Sequence, residues 1–241
     1  MDALIYTSLS GAERSLRAQQ VHANNLANMD TPGFRATFEL ATSKAVPGYG
    51  YDARHKGLVQ ANAVVAREGT VKATGRDLDV AIAGQGYFAV QWNDGEAYTR
   101  AGALTLDADG TLTINGRPVL GDGGPITLPQ FTSVAIGNDG TVSIQAPGQQ
   151  AMQVIDKLKL VKPEAGELTK NEAGLIVSRN GDEFPTDPTV EVRGGHLEGS
   201  NVSAVEEMIS TMSLNRSFEM QMKLYKAADS MHEAGNRLIG A

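Results

Sequence analysis

Apolar and small residues recur along the first 28 positions at Ile5, Leu9, Ala12, Leu16, Ala23 and Leu26, and only Gln19 breaks the series. The steps of three, four and seven place these residues on one stripe of an α-helix. The stretch holds no proline and a single glycine, Gly11. A helix of this length is roughly 40 Å long at about 1.5 Å per residue. Asp30-Thr31-Pro32-Gly33 ends it, because proline disfavours helical backbone in the residue before it and glycine opens a turn. From Ser203 a second helical pattern runs through Val205, Met208, Ile209, Met212, Phe218, Met222, Tyr225, Ala228, Met231 and Leu238. Ser203 and Glu206 have the spacing of a capping box. Methionine is prominent in this stripe, which lets its contacts adapt in shape.

The middle of the chain changes period. Leu78, Val80 and Ile82 alternate with Asp79 and Ala81, and Phe88, Val90 and Trp92 with Ala89 and Gln91. Leu112 and Ile114, Val142 and Ile144, and Leu158 and Leu160 continue the alternation. Period two is the pattern of strands. Between the runs stand Asn93-Asp94-Gly95, Asp109-Gly110, Asn115-Gly116, Asp139-Gly140 and Asn180-Gly181, pairs that tolerate the positive φ of tight hairpins. The expected fold is mainly β with a terminal helical pair. Residues 1–30 and 200–241 form a discontinuous, coiled-coil-like helical domain. Residues 31–75 and 185–199 are extended connectors, and residues 76–184 an inserted antiparallel barrel or sandwich.

One amphipathic helix of this length is marginal in water, and two paired helices still leave apolar surface uncovered. Other subunits are the natural cover, and heterologous contacts that repeat without closing build a helical assembly. The stripe residues above are therefore the candidate assembly contacts. Two polar residues join them. Asn25 suits either a helix C-cap or a hydrogen bond to a neighbouring chain. Arg216 suits a surface ion pair or an inter-subunit one, and arginine is enriched in interfaces. Asn28 reads as a cap.

Composition narrows the classes. The formal net charge of -7 over 241 residues gives no phosphate-neutralising surface, so nucleic acid is a poor partner. The absence of cysteine excludes a disulfide scaffold, a thiol nucleophile and a cysteine zinc site. The N-terminus does not read as a signal peptide, and no apolar run is long enough to cross a membrane as a helix. Gly84-Gln85-Gly86 lacks the following helix that a dinucleotide fingerprint needs. Asp107 with Asp109-Gly110 fails as a calcium loop, since the twelfth position is Pro118. Asp77 and Asp79 read as a solvated strand edge. The histidines, His22, His55, His196 and His232, show no metal spacing. No catalytic, cofactor or metal constellation is present, and the expectation is a protein that is not an enzyme.

Ordered motifs along the chain sharpen this. Asn24-Asn25-Leu26-Ala27-Asn28 precedes Thr31-Pro32-Gly33-Phe34-Arg35, and Leu78-Asp79-Val80-Ala81-Ile82 leads to Gly84-Gln85-Gly86-Tyr87-Phe88. Tyr98-Thr99-Arg100-Ala101-Gly102, Gly116-Arg117-Pro118-Val119-Leu120-Gly121 and Gly124-Pro125-Ile126 follow, then Glu198-Gly199-Ser200-Asn201-Val202, Glu207-Met208 and Arg216-Ser217-Phe218-Glu219-Met220-Gln221. The set resembles the flagellar rod and hook protein family, over both ends and the first half of the β region. Within it, the Met1-Asp2 start, Ile5-Tyr6 and Phe218-Glu219-Met220-Gln221 resemble the F-type, proximal-rod branch, with the G-type distal-rod branch the near alternative. Leu104 departs from the family's usual phenylalanine. The resemblance implies a structural subunit of the periplasmic rod, exported through the flagellar type III apparatus without a cleaved signal. Its partners would be other rod subunits and copies of itself, with no membrane insertion. The terminal helices would form the inner core of the rod and the β domain would lie outside. The competing class is a β-rich cell-wall-binding or hydrolytic module, which has no use for two long apolar-striped ends.

Overall fold

The computed structural model describes residues 2–45, 55–93, 95–171 and 173–239 and is mainly β with a helix at each end. Helix α1 spans Asp2–Ala27 and helix α2 spans Ala204–Ile239. Ser203 begins α2 as its spacing predicts: its hydroxyl accepts the Glu206 N–H at 3.5 Å. The chain divides into two compact units, residues 1–27, 37–62 and 203–241 in one and residues 28–36 and 63–202 in the other.

In the helical unit α1 and α2 pack on each other. The cross-pairs run from His22 with Glu207, through Gln19 with Asn215, to Gly11 against Gln221, so the helices are antiparallel. The strand Thr37–Ala45 pairs with His55–Val64 as a two-stranded sheet. The stretches read as extended connectors therefore carry paired strands. One of them, Val71–Ala73, escapes a pattern search because all three of its residues are exposed. That strand pairs with His196–Glu198, and Glu191–Gly194 pairs with Val80–Ala83. The Pro47-to-Tyr51 stretch and Asp94 lie outside the described residues.

The β unit is a set of small antiparallel sheets. Its largest has five strands in the order Leu160–Val161, Tyr87–Trp92, Gly95–Thr99, Ile176–Ser178 and Leu168–Lys170. Three-stranded sheets are formed by Leu104–Leu106, Leu112–Ile114 and Arg117–Pro118, and by Ser133–Ile136, Thr141–Gln145 and Met152–Lys157. Among the described residues no sheet closes into a barrel, because strands of two to six residues are cut by turns before a continuous ladder can form. The five-stranded sheet is buried on both faces. Phe88 and Val90 enter a large core with Ile82, Leu104, Leu112, Ile144 and Leu160, whereas Tyr87 and Ala89 enter a second core with Tyr98, Val161 and Leu168. Leu104, the departure from the family pattern, is fully buried in the first.

The turn chemistry follows the dipeptides. Asn115 and Gly116 have φ of 51° and 75° and join Ile114 to its partner Arg117, the geometry of a two-residue primed turn. Asp107 uses its carboxylate to accept the N–H groups of Asp109 and Thr111 at 3.0 and 2.8 Å, an Asx-type turn in place of calcium ligation. One expectation is overturned. Asp79 is not on a solvated edge: it is 5% exposed and faces the Arg76 guanidinium at 3.4 Å, while Asp77 is exposed.

Candidate assembly surface

The stripe on α1 splits into two rows seven residues apart. Ala12 is buried, and Gln19 and Leu26 are partly buried. Leu9 and Leu16, each 45% exposed, and Ala23 form the other row and are open to solvent. The row that packs on α2 is small and polar. A side chain on Gly11 would approach Gln221 to 2.9 Å, and Ser15 is 6% exposed. The seam is closed by hydrogen bonds. Gln19 Nε2 donates to Asn215 Oδ1 at 3.0 Å, His22 Nδ1 meets Glu207 Oε2, and Asn25 Nδ2 donates to Glu207 Oε1 at 3.1 Å. Asn25 is 1% exposed and also exchanges bonds with the Thr37 backbone, donating to its carbonyl at 3.0 Å and accepting its N–H at 2.9 Å. Its side chain is engaged within the chain and holds the helix to the following strand.

Helix α2 leaves most of its large apolar residues exposed. Ala228 is buried at 4%, and Ser217 and Gln221 are partly buried. Val205, Met208, Ile209, Met212, Met220, Leu224 and Met231 are between 51% and 66% exposed. Met222 and Tyr225 are nearer 40%, Phe218 is half-buried, and Arg216 is exposed. Large exposed apolar side chains gathered on one helix mark an interaction surface. The side chains of Ile5 and Leu238 lie outside the described residues.

Within the β unit a charged cluster sits where nonpolar residues dominate. Glu198 Oε1 contacts Arg35 Nη2 at 2.9 Å and accepts the Gly69 N–H at 2.8 Å, and its Oε2 contacts Arg100 Nε at 2.8 Å. The side chains are 3% exposed or less. Arg100 also donates to the carbonyls of Gly86 and Gly84 at 3.0 and 2.7 Å, and Arg35 donates to the Arg67 carbonyl. Burial pulls the Arg100 guanidinium below its ordinary value, and the Glu198 carboxylate opposes that pull. Asn201 completes the cluster through Ala36 N, Val65 O and Arg67 O at 2.7, 3.1 and 2.8 Å. The Gly84 and Gly86 carbonyls thus accept from Arg100, and a strand, not a helix, follows these glycines. The described residues contain no group that could hold a metal ion, and no described helix is long and apolar enough to cross a membrane.

Three family patterns match in chain order: flagella basal body rod protein over residues 5–35, flagellar hook protein FlgE/F/G D1 domain over 81–144, and flagellar basal body rod FlgEFG protein C-terminal over 193–238. The chain is 40% identical to flagellar basal-body rod protein FlgF of Escherichia coli (strain K12), covering 99% of both chains. The chain belongs to the flagellar basal-body rod protein family. FlgF of Salmonella typhimurium is also 40% identical over 99% of both chains, and FlgG of Bacillus subtilis is 30% identical over 94% of this chain and 95% of its own. As a rod protein the chain has a structural role, not an enzymatic one, and the F-type resemblance runs its whole length.

Arg35, Arg100, Glu198 and Asn201 were not singled out by the sequence as a site, although each lies in a family motif. The available signal was the isolation of each charge within a run of uncharged residues: Thr-Pro-Gly-Phe before Arg35, Ala-Gly-Ala after Arg100, and Gly-Ser-Asn after Glu198.

Proposed function

We propose that this chain is a proximal-rod subunit whose terminal helices assemble, coiled-coil fashion, with those of neighbouring rod subunits and transmit torque across the periplasm. The Leu9–Leu16–Ala23 row and the outward residues of α2, from Val205 through Met212 to Met231, are the contacts. Ala12 and Asn25 support that surface from inside the pair. The supporting observation is the exposure on α2: Val205, Met208, Ile209, Met212, Met220, Leu224 and Met231 face solvent, while Gln221 meets Gly11 of α1. Covering those side chains supplies about 25 cal/mol per Å² of apolar area. The β unit serves as the stiff outer body, with the Arg35–Glu198–Arg100 cluster fastening the segments through which the chain enters and leaves it. Export through the flagellar type III apparatus without a cleaved signal, and the absence of membrane insertion, belong to the same reading.

The test is a pair of substitutions, Leu16→Asp and Met212→Asp. Both positions are already exposed, so folding by circular dichroism is expected to be unchanged. A charge buried at an interface costs several kcal/mol, so rods should arrest without hooks, as in an in-frame deletion viewed by electron microscopy. Normal basal bodies and swimming in both variants would sink the reading.

A further inference from the structure

The exposed apolar surface of α2 is unusual in its chemistry. The chain contains eight methionines and no cysteine. Five of the methionines, Met208, Met212, Met220, Met222 and Met231, stand on α2 and are between 36% and 66% exposed. Leucine has the same helix propensity and a similar size, so neither helix formation nor burial calls for sulfur here. The thioethers are the chain's only sulfur, and no thiol competes for oxidant.

We propose that these methionines form a redox-sensitive gate on assembly, open to two-electron oxidants such as hydrogen peroxide in the unassembled chain. The thioether sulfur attacks one peroxide oxygen, an S–O bond forms as the O–O bond breaks, and the second oxygen leaves as water after taking up the remaining proton. The product is a sulfoxide, polar where the side chain was apolar. Oxidation therefore converts the outward face of α2 from a surface that gains by being covered to one that must be desolvated. A dithiol-dependent methionine sulfoxide reductase reverses the change, the sulfoxide oxygen leaving as water while two thiols become a disulfide. The gate acts only before assembly, since packing removes the sulfurs from solvent. In this it rests on the assembly reading above.

The experiment uses the full chain and a quintuple variant, M208L/M212L/M220L/M222L/M231L. Peroxide treatment of the purified native chain, followed by peptide mass mapping, is expected to convert the five α2 methionines at rates within about threefold of Met152, which is 46% exposed on the β unit. In isolated basal bodies the α2 sites should be protected about tenfold or more relative to Met152. In cells challenged with peroxide, the leucine variant should keep a several-fold larger fraction of its own unchallenged basal-body formation than the native chain keeps of its own. Equal fractional loss in the two strains, or α2 methionines oxidised as fast in basal bodies as in the free chain, overturns the proposal. A Val205→Asp variant separates the two readings: if it builds rods normally, the α2 surface is not an interface and the assembly reading itself falls, whatever the methionines do.

Discussion

Removing the Glu198 carboxylate tests whether the buried cluster fastens the β unit. In Glu198→Ala the guanidinium groups of Arg35 and Arg100, 3% exposed or less, lose their shared counter-charge, and the Gly69 N–H loses its acceptor. Stranding one partner of a buried pair costs about 3–5 kcal/mol. Whole-domain stability is about 5–15 kcal/mol, so the substitution removes roughly a fifth of it or more, and lowers the melting temperature by about 10 °C. Glu198→Gln keeps acceptor and shape but not charge, and should lie between. The assay is urea unfolding followed by tryptophan fluorescence. The single tryptophan, Trp92, lies against the main core of the β unit with Arg117 stacked 4.9 Å from its ring centre, so the signal reports that unit alone. The midpoint should fall with the slope unchanged. If both variants lose less than about 1 kcal/mol, the value for exposed pairs, the cluster does not fasten the unit.

Two further outcomes follow from local geometry. Gly102→Ala would place a side-chain carbon 1.6 Å from the Val80 carbonyl oxygen, a backbone group that cannot swing away; the same urea assay should show a loss well above about 1 kcal/mol. Lys170 donates to the Arg35 carbonyl at 2.6 Å and lies 4.0 Å from the centre of the Phe34 ring, yet burial pushes it down from 10.5 to about 8. Between those two values the folded chain holds fewer protons than the unfolded one, so stability rises with pH across that window, and the cost of the buried charge is fully present below it. Lys170→Met should abolish that rise, which amounts to roughly 1–3 kcal/mol, when melting is measured as a function of pH.

Both helices were legible because their stripes are long and free of proline, with Gln19 the one break in the first, and α2 begins at the serine that its capping spacing marks. The strands through Phe88, Leu112 and Val142 were legible for the same reason at period two. The strand Val71–Ala73 was not, since a strand whose every residue is exposed leaves no alternation to find. Asp79 was misplaced because the sequence shows Arg76 three residues before it but not that the turn buries the carboxylate against that guanidinium. The α1 stripe was found but not its division: periodicity marks Leu9 and Ala12 as neighbours on a face, and only packing shows that one row meets α2 and the other does not. Glu198 with Arg35 and Arg100 was hidden by distance along the chain, which no local pattern spans.

That same distance has a consequence for the order of events during synthesis. A ribosome delivers Arg35 and Arg100 long before Glu198, so the growing chain holds two cations whose intended burial site has no anion. Closing the β unit early would strand them, at a cost comparable to the stability it gains. The charge balance of the β unit is therefore complete only once its final segment has been made.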